Sequence, residues 1–100
     1  MNHSTAFGWI DFDISNSPEW DRAQIHRLAR HLGYHLVWPD ERSVLWVVDQ
    51  ARNARADLVI LPAPGHLSPL ELNAVMDVAD VETVVPRLSF ARRAFAKVGR

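Results

Sequence analysis

Apolar residues fall along the chain in short blocks separated by polar or proline-containing punctuation. Gly8 to Phe12 (G-W-I-D-F) carries the apolar and aromatic residues of a strand, and Asp13 to Asn16 supplies loop chemistry. From Pro18 the apolar positions Ile25, Leu28, Ala29 and Leu32 recur at helical spacing as far as Gly33, with Ser17 placed to cap the helix and Pro18 tolerated at its first position. Tyr34 to Trp38 predicts a second strand, ended by Pro39-Asp40-Glu41-Arg42, and Val44, Val47, Val48 and Ala51 mark a second helical face. Leu58 to Leu61 is an unbroken apolar run, as expected of a parallel strand covered on both faces. Pro62 to His66 cannot continue that strand, because two prolines remove donors and Gly65 permits a turn. Ser68-Pro69-Leu70-Glu71 then has the form of a capping box, with Leu72, Val75, Met76 and Ala79 behind it. Glu82 to Val85 predicts a fourth strand closed by Pro86, and Ser89 to Val98 a last helix.

The resulting order, βαβαβαβα, predicts a three-layer α/β/α fold with a four-stranded, mainly parallel sheet joined by right-handed crossovers. Residues 1–7 read as a polar N-terminal segment, 8–86 as the α/β domain and 87–100 as a basic amphipathic C-terminal helix. The 100 residues suit one domain, and a hydrophobic content of 48% argues against disorder. The absence of cysteine excludes disulfides and thiolate chemistry, and no apolar run approaches the roughly 18 residues of a membrane span. These features lead us to expect a cytoplasmic chain that has no membrane partner.

Charge changes this picture at one end. Residues 1–86 hold 6 Arg and 12 acids, net −6, whereas 87–100 hold Arg87, Arg92, Arg93, Lys97 and Arg100 with no acid, net +5. Helical spacing would put Phe90, Ala91, Ala94, Phe95 and Val98 on one face and Arg92, Arg93 and Lys97 on the other. Arg87, Phe90, Arg92, Arg93, Phe95, Lys97 and Arg100 are therefore the expected contacts to a protein partner or to nucleic acid.

In an open α/β sheet ligands bind at the carboxyl ends of the strands, which points to Asp11–Asn16, Pro39–Arg42 and Pro62–Ser68. The blocks G-W-I-D-F-D, W-D-R-A-Q-I-H-R-L-A-R-H-L-G-Y and A-D-L-V-I-L-P-A-P-G-H-L-S-P occur in these surroundings. In this order and spacing the chain resembles the catalytic domain of serine recombinases of the resolvase and invertase type, over about residues 8–80. The resemblance implies a first strand reading G-Y-x-R-V-S, whose Ser attacks a DNA phosphate and whose Arg stabilises it. Here Asp11 stands at the Arg position and Asp13 at the Ser position. A shifted match makes Ser15 the nucleophile but leaves Asp13 at the Arg position. The family's D-R-L-x-R motif aligns with Gly65 to Pro69, keeping Leu67 while His66 and Pro69 replace both arginines. Carboxylates at these positions repel the phosphate that the chemistry must bind. The implied protein is a resolvase-like pseudoenzyme.

Asp11-Phe12-Asp13 also resembles the D-x-D of haloacid-dehalogenase-type phosphohydrolases, in which carboxylates hold Mg²⁺, but the only lysine is Lys97, in the tail. The five histidines do not converge: Gly33 separates His31 from His35, and His66 stands alone in a loop, so no metal site and no cofactor are expected. Trp9 and Trp46 read as core, and Trp20 and Trp38 as residues near element ends. The expected function is a non-catalytic protein-interaction or regulatory module, forming a homo-oligomer such as a dimer or binding another protein. Its binding candidates are Asp11, Asp13, Ser15 and His66. Accessory DNA binding through residues 87–100 is the alternative, with Mg-dependent phosphohydrolysis by Asp11 and Asp13 behind it.

Overall fold

A computed structural model describes residues 4–93. It contains a five-stranded sheet in the order β2-β1-β3-β4-β5, with β1 (Thr5–Gly8), β2 (His35–Val37), β3 (Leu58–Leu61) and β4 (Asp80–Thr83) parallel and β5 (Leu88–Phe90) antiparallel to β4. Three helices connect the parallel strands: α1 (Pro18–Leu32), α2 (Val47–Asn53) and α3 (Pro69–Val75). The fold is α/β with a mostly parallel sheet.

Alternation along β1 and β3 assigns the two faces. Ala6, Leu58 and Ile60 turn toward α1 and pack with Ile10, Ile25 and Ala29. Phe7, Val59 and Leu61 turn the other way, onto Val47, Val48 and Ala51 of α2 and Val75 of α3. All four residues of β3 are buried, because β3 lies between β1 and β4 with helices on either side. Leu67, the residue that matches the recombinase motif's Leu, is core, 4% exposed beneath α2 and α3.

The helix ends follow the sequence chemistry closely. At Gly33, φ is +84°, and the amides of Gly33 and Tyr34 donate to the carbonyls of Arg30 and Ala29, closing α1. The capping box of α3 is complete: the Glu71 amide donates to Ser68 Oγ (3.1 Å) and the Ser68 amide to Glu71 Oε1 (2.8 Å). Ser17 occupies the N-cap position of α1, but its side chain makes no capping bond.

The structure corrects several boundaries. The first strand starts at Thr5, inside the expected polar segment, and ends at Gly8, so Trp9–Phe12 belong to the loop that follows. The fourth strand lies over Asp80–Thr83, where Val81 and Thr83 are buried and Asp80 and Glu82 take the more open face. Helix α2 begins at Val47, and Val44 is 97% exposed. A turn precludes an earlier start: Asp40 Oδ1 accepts from the Arg42 amide, the Asp40 carbonyl from the Ser43 amide, and Ser43 Oγ from the Leu45 amide. Trp46 sits at the N-cap of α2 and is 43% exposed, so it is not core. The expected helix from Ser89 does not form at its start, since Leu88–Phe90 pair with Val81–Thr83 and residues 91–93 are not helical. Its remainder, including Phe95, Lys97 and Arg100, lies outside the described residues.

Candidate functional site

Sheet topology selects the place where loops diverge. The chain after β1 turns to α1 on one face and the chain after β3 turns to α3 on the other, so a crevice opens between them at the carboxyl edge. His66 spans it. Its Nδ1 accepts a 2.9 Å hydrogen bond from the Asp11 amide, tying the β3–α3 loop to the β1–α1 loop. With Nδ1 accepting, the neutral ring carries its proton on Nε2. Burial lowers the His66 pKa below the ordinary histidine value, against the opposing fields of Asp21 and Asp11.

Beside His66 lies a cleft of about 490 Å³. Five carboxylates line it: Asp11 and Asp13 after β1, Asp40 and Glu41 after β2, and Glu71 in the first turn of α3. Among the described residues Arg22 of α1 is the sole guanidinium in the lining, and it lies over the Trp38 ring, 4.4 Å from its centroid. Trp38 in turn covers Gly8, where a Cβ would approach its ring carbons to 2.6–2.9 Å. Asp11 is partly committed to the loop, since its Oδ1 accepts from the Asp13 amide at 2.9 Å.

Ser15 lies on the other side of His66, in a groove of about 440 Å³ shared with Trp20, Asp21 and Val85. Its hydroxyl donates to Asp21 Oδ2 at 2.6 Å. The site candidates thus separate: Asp11, Asp13 and His66 converge on one cleft, and Ser15 faces the neighbouring groove. Among the described residues, no group of three or more His, Asp or Glu side chains is placed to hold a metal ion together.

The basic segment runs elsewhere. Arg87 pairs with Glu82, while Arg93 bonds to Asn73 and lies 3.5 Å from Asp77. The Arg92 amide donates to Asp80, and Phe90 packs against the core beneath α2 and α3. These residues brace β5 and its continuation against the domain's own acidic surface.

The exposed large apolar residues share a distribution that sequence reading missed. Phe12 and Ile14 follow β1, Trp20 opens α1, Val44, Leu45 and Trp46 precede α2, Leu70 opens α3 and Val85 follows β4. Leu88 begins β5, opposite Thr83 at the end of β4. All nine, among the described residues, therefore lie toward the carboxyl edge of the parallel strands, and Phe12, Ile14, Trp20 and Val85 line the two clefts. Asp40 and Glu41 fall in the expected Pro39–Arg42 loop without having been singled out, and Arg22, Trp38 and Glu71 lie outside the expected loops. The available signal was positional, because a first helical turn or post-strand loop always lies at that edge.

Comparisons with protein-family models, curated proteins and solved structures find no match to this chain. Among the described residues, no helix is long and apolar enough to cross a membrane.

Proposed function

We propose that the chain is a non-catalytic protein-interaction or regulatory module, a reduced resolvase-like domain whose former phosphate site has become part of a docking face. The observation that carries this reading is the cleft's lining, five carboxylates against one guanidinium already stacked on Trp38. Phosphoryl transfer needs cations around the phosphate oxygens. Such a lining instead raises the cost of bringing a phosphodiester near Asp13, while Ser15 spends its hydroxyl on Asp21.

Accessory DNA binding loses support from the pairing of Arg87 with Glu82 and of Arg93 with Asp77, which engages two of the five cations of residues 87–100. Mg-dependent phosphohydrolysis loses support from the Asp11 side chain, whose Oδ1 is turned back to the Asp13 amide.

Incubating the protein with supercoiled plasmid and probing for a covalent protein–DNA adduct tests the non-catalytic reading. No adduct is expected, with Mg²⁺ or without it. An adduct that disappears in Ser15→Ala would overturn the reading.

A further inference from the structure

We infer that the carboxyl-edge face docks a partner polypeptide through an arginine or lysine side chain flanked by apolar residues, the cation entering the acidic cleft beside Trp38 and the flanks lying on the apolar rim. This deepens the interaction-module reading and rests on it.

Three features of the site converge on that ligand chemistry. The first is electrostatic: with His66 neutral, five carboxylates and one guanidinium leave the cleft lining at a formal charge of −4. Carboxylates on two separate loops and a helix turn, in a recess walled by Trp9 and Trp38, focus their field on the space between them. The second is the aromatic surface. Arg22 over Trp38 displays, within the molecule, the cation-on-indole arrangement that an incoming side chain would join or replace. The third is His66, which is 7% exposed, stands between this cleft and the neighbouring groove, lining both, and has Nδ1 taken by the Asp11 amide; no protein partner for Nε2 occurs among the described residues. A backbone carbonyl of a docked segment would satisfy that donor.

The rim sets the size and kind of ligand. Phe12 lines the cleft, Trp20 lines the neighbouring groove on the other side of His66, and Leu70 adjoins Glu71 in the first turn of α3; all three are 60–70% exposed. A small cation would leave these side chains in water, whereas a peptide segment covers them as it delivers its charge. Nucleic acid and anionic lipid surfaces carry the wrong charge for this lining. The described part of the chain's own basic segment is held away from the cleft at residues 92–93, because Arg92 and Arg93 are bonded to Asp80, Asn73 and the Met76 carbonyl, at the opposite edge of the sheet.

Selection of a phage-displayed random dodecapeptide library on the immobilised full chain tests the inference. Enriched peptides should carry at least one Arg or Lys between apolar residues, and they should change the emission of the Trp9 and Trp38 indoles on titration. The double charge reversal Asp13→Lys/Glu41→Lys, at two exposed positions, should weaken binding at least tenfold, and lowering the salt should strengthen wild-type binding. Leu70→Ser should also weaken it, with the salt response retained. A consensus lacking a cation, no enrichment at all, or equal affinity for wild type and charge reversal would overturn the inference. Two further results would do so: salt-insensitive self-association in sedimentation that Leu70→Ser abolishes, which would seat a second copy on the face, or duplex DNA displacing the peptide. Because a cation-free peptide bound at the same rim would leave the non-catalytic reading intact, the two proposals fail separately.

Discussion

Gly8→Ala probes the joint between the fold and the cleft. Gly8 ends β1, and an added Cβ would meet three ring carbons of Trp38 at 2.6, 2.8 and 2.9 Å. These atoms belong to a rigid ring whose position also determines where Arg22 stacks. The backbone at Gly8 is not in the left-handed region, so alanine itself is unstrained there, and it gains about 0.4–1 kcal/mol by restricting the unfolded chain. Overpacking costs about 1–3 kcal/mol. Steric cost outweighs backbone gain, giving a net loss of about 1–2 kcal/mol and a melting temperature lower by about 4–16 °C for a domain of this size. Thermal melts followed by circular dichroism, with indole emission recorded at 20 °C, measure both consequences. In a Trp38→Leu background the penalty should vanish or reverse, giving a coupling energy of about 1–2 kcal/mol. Gly65→Ala serves as the control, because its Cβ would have Ile14 Cδ1 as nearest neighbour at 4.0 Å. A Gly8→Ala protein that melts with wild type, or one that loses as much stability without Trp38, would refute this account of the packing.

Stability should also respond to His66. Burial lowers its folded-state pKa, so the unfolded chain binds the proton more readily, and the stability it contributes is complete above the ordinary value of about 6.5 and declines as pH falls below it. His66→Asn, which keeps an acceptor for the Asp11 amide without titrating near neutrality, should flatten that decline in urea melts between pH 7.5 and 5. His66→Ala leaves the amide without its partner and should cost about 1–3 kcal/mol at pH 7.5. Removing the α3 cap by Ser68→Ala should cost about 0.5–2 kcal/mol in urea titration, because it removes the Oγ that accepts from the Glu71 amide while leaving the backbone bond to Glu71 Oε1 possible. Arg87→Ala removes an exposed ion pair with Glu82 and should change stability by less than about 1 kcal/mol; a larger loss would show that β5 depends on it.

How readily each element could be read from sequence depends on whether its signal is local. Helix α1 is local in every respect, with Pro18 at its start, Gly33 at its end and a 3.6-residue repeat ending on buried Ile25 and Ala29. Strand β3 is an apolar run, and its burial follows from it. Strand β1 is different: its inward positions include Ala6 and Gly8, small because α1 and Trp38 approach closely there, and a search for large apolar residues moves the strand toward Trp9. The last segment fails for the opposite reason. Phe90, Ala91, Ala94, Phe95 and Val98 have a genuine helical period. Pairing of Val81–Thr83 with Leu88–Phe90, and the bonds from Arg92 and Arg93 to the body, nevertheless extend its first residues. Local period gives way to tertiary pairing there.

The cleft obeys the same division between local and long-range signals, and its negative charge comes from both kinds. Asp11 and Asp13 were visible because they adjoin a strand, but Asp40, Glu41 and Glu71 join them only through the β2-β1-β3 order, from up to 60 residues away. Restoring the recombinase-like pair by Asp11→Arg and Asp13→Ser would leave three carboxylates facing two guanidiniums, a formal charge of −1 where the lining now stands at −4. One of those guanidiniums, Arg22, would still be stacked on Trp38, and the positions matched to the later arginines would still hold buried His66 and Pro69. The negative charge therefore does not reside in two positions alone. The acidic lining is distributed over three segments that meet only in the folded chain, as expected if the whole recess serves the cationic ligand proposed above.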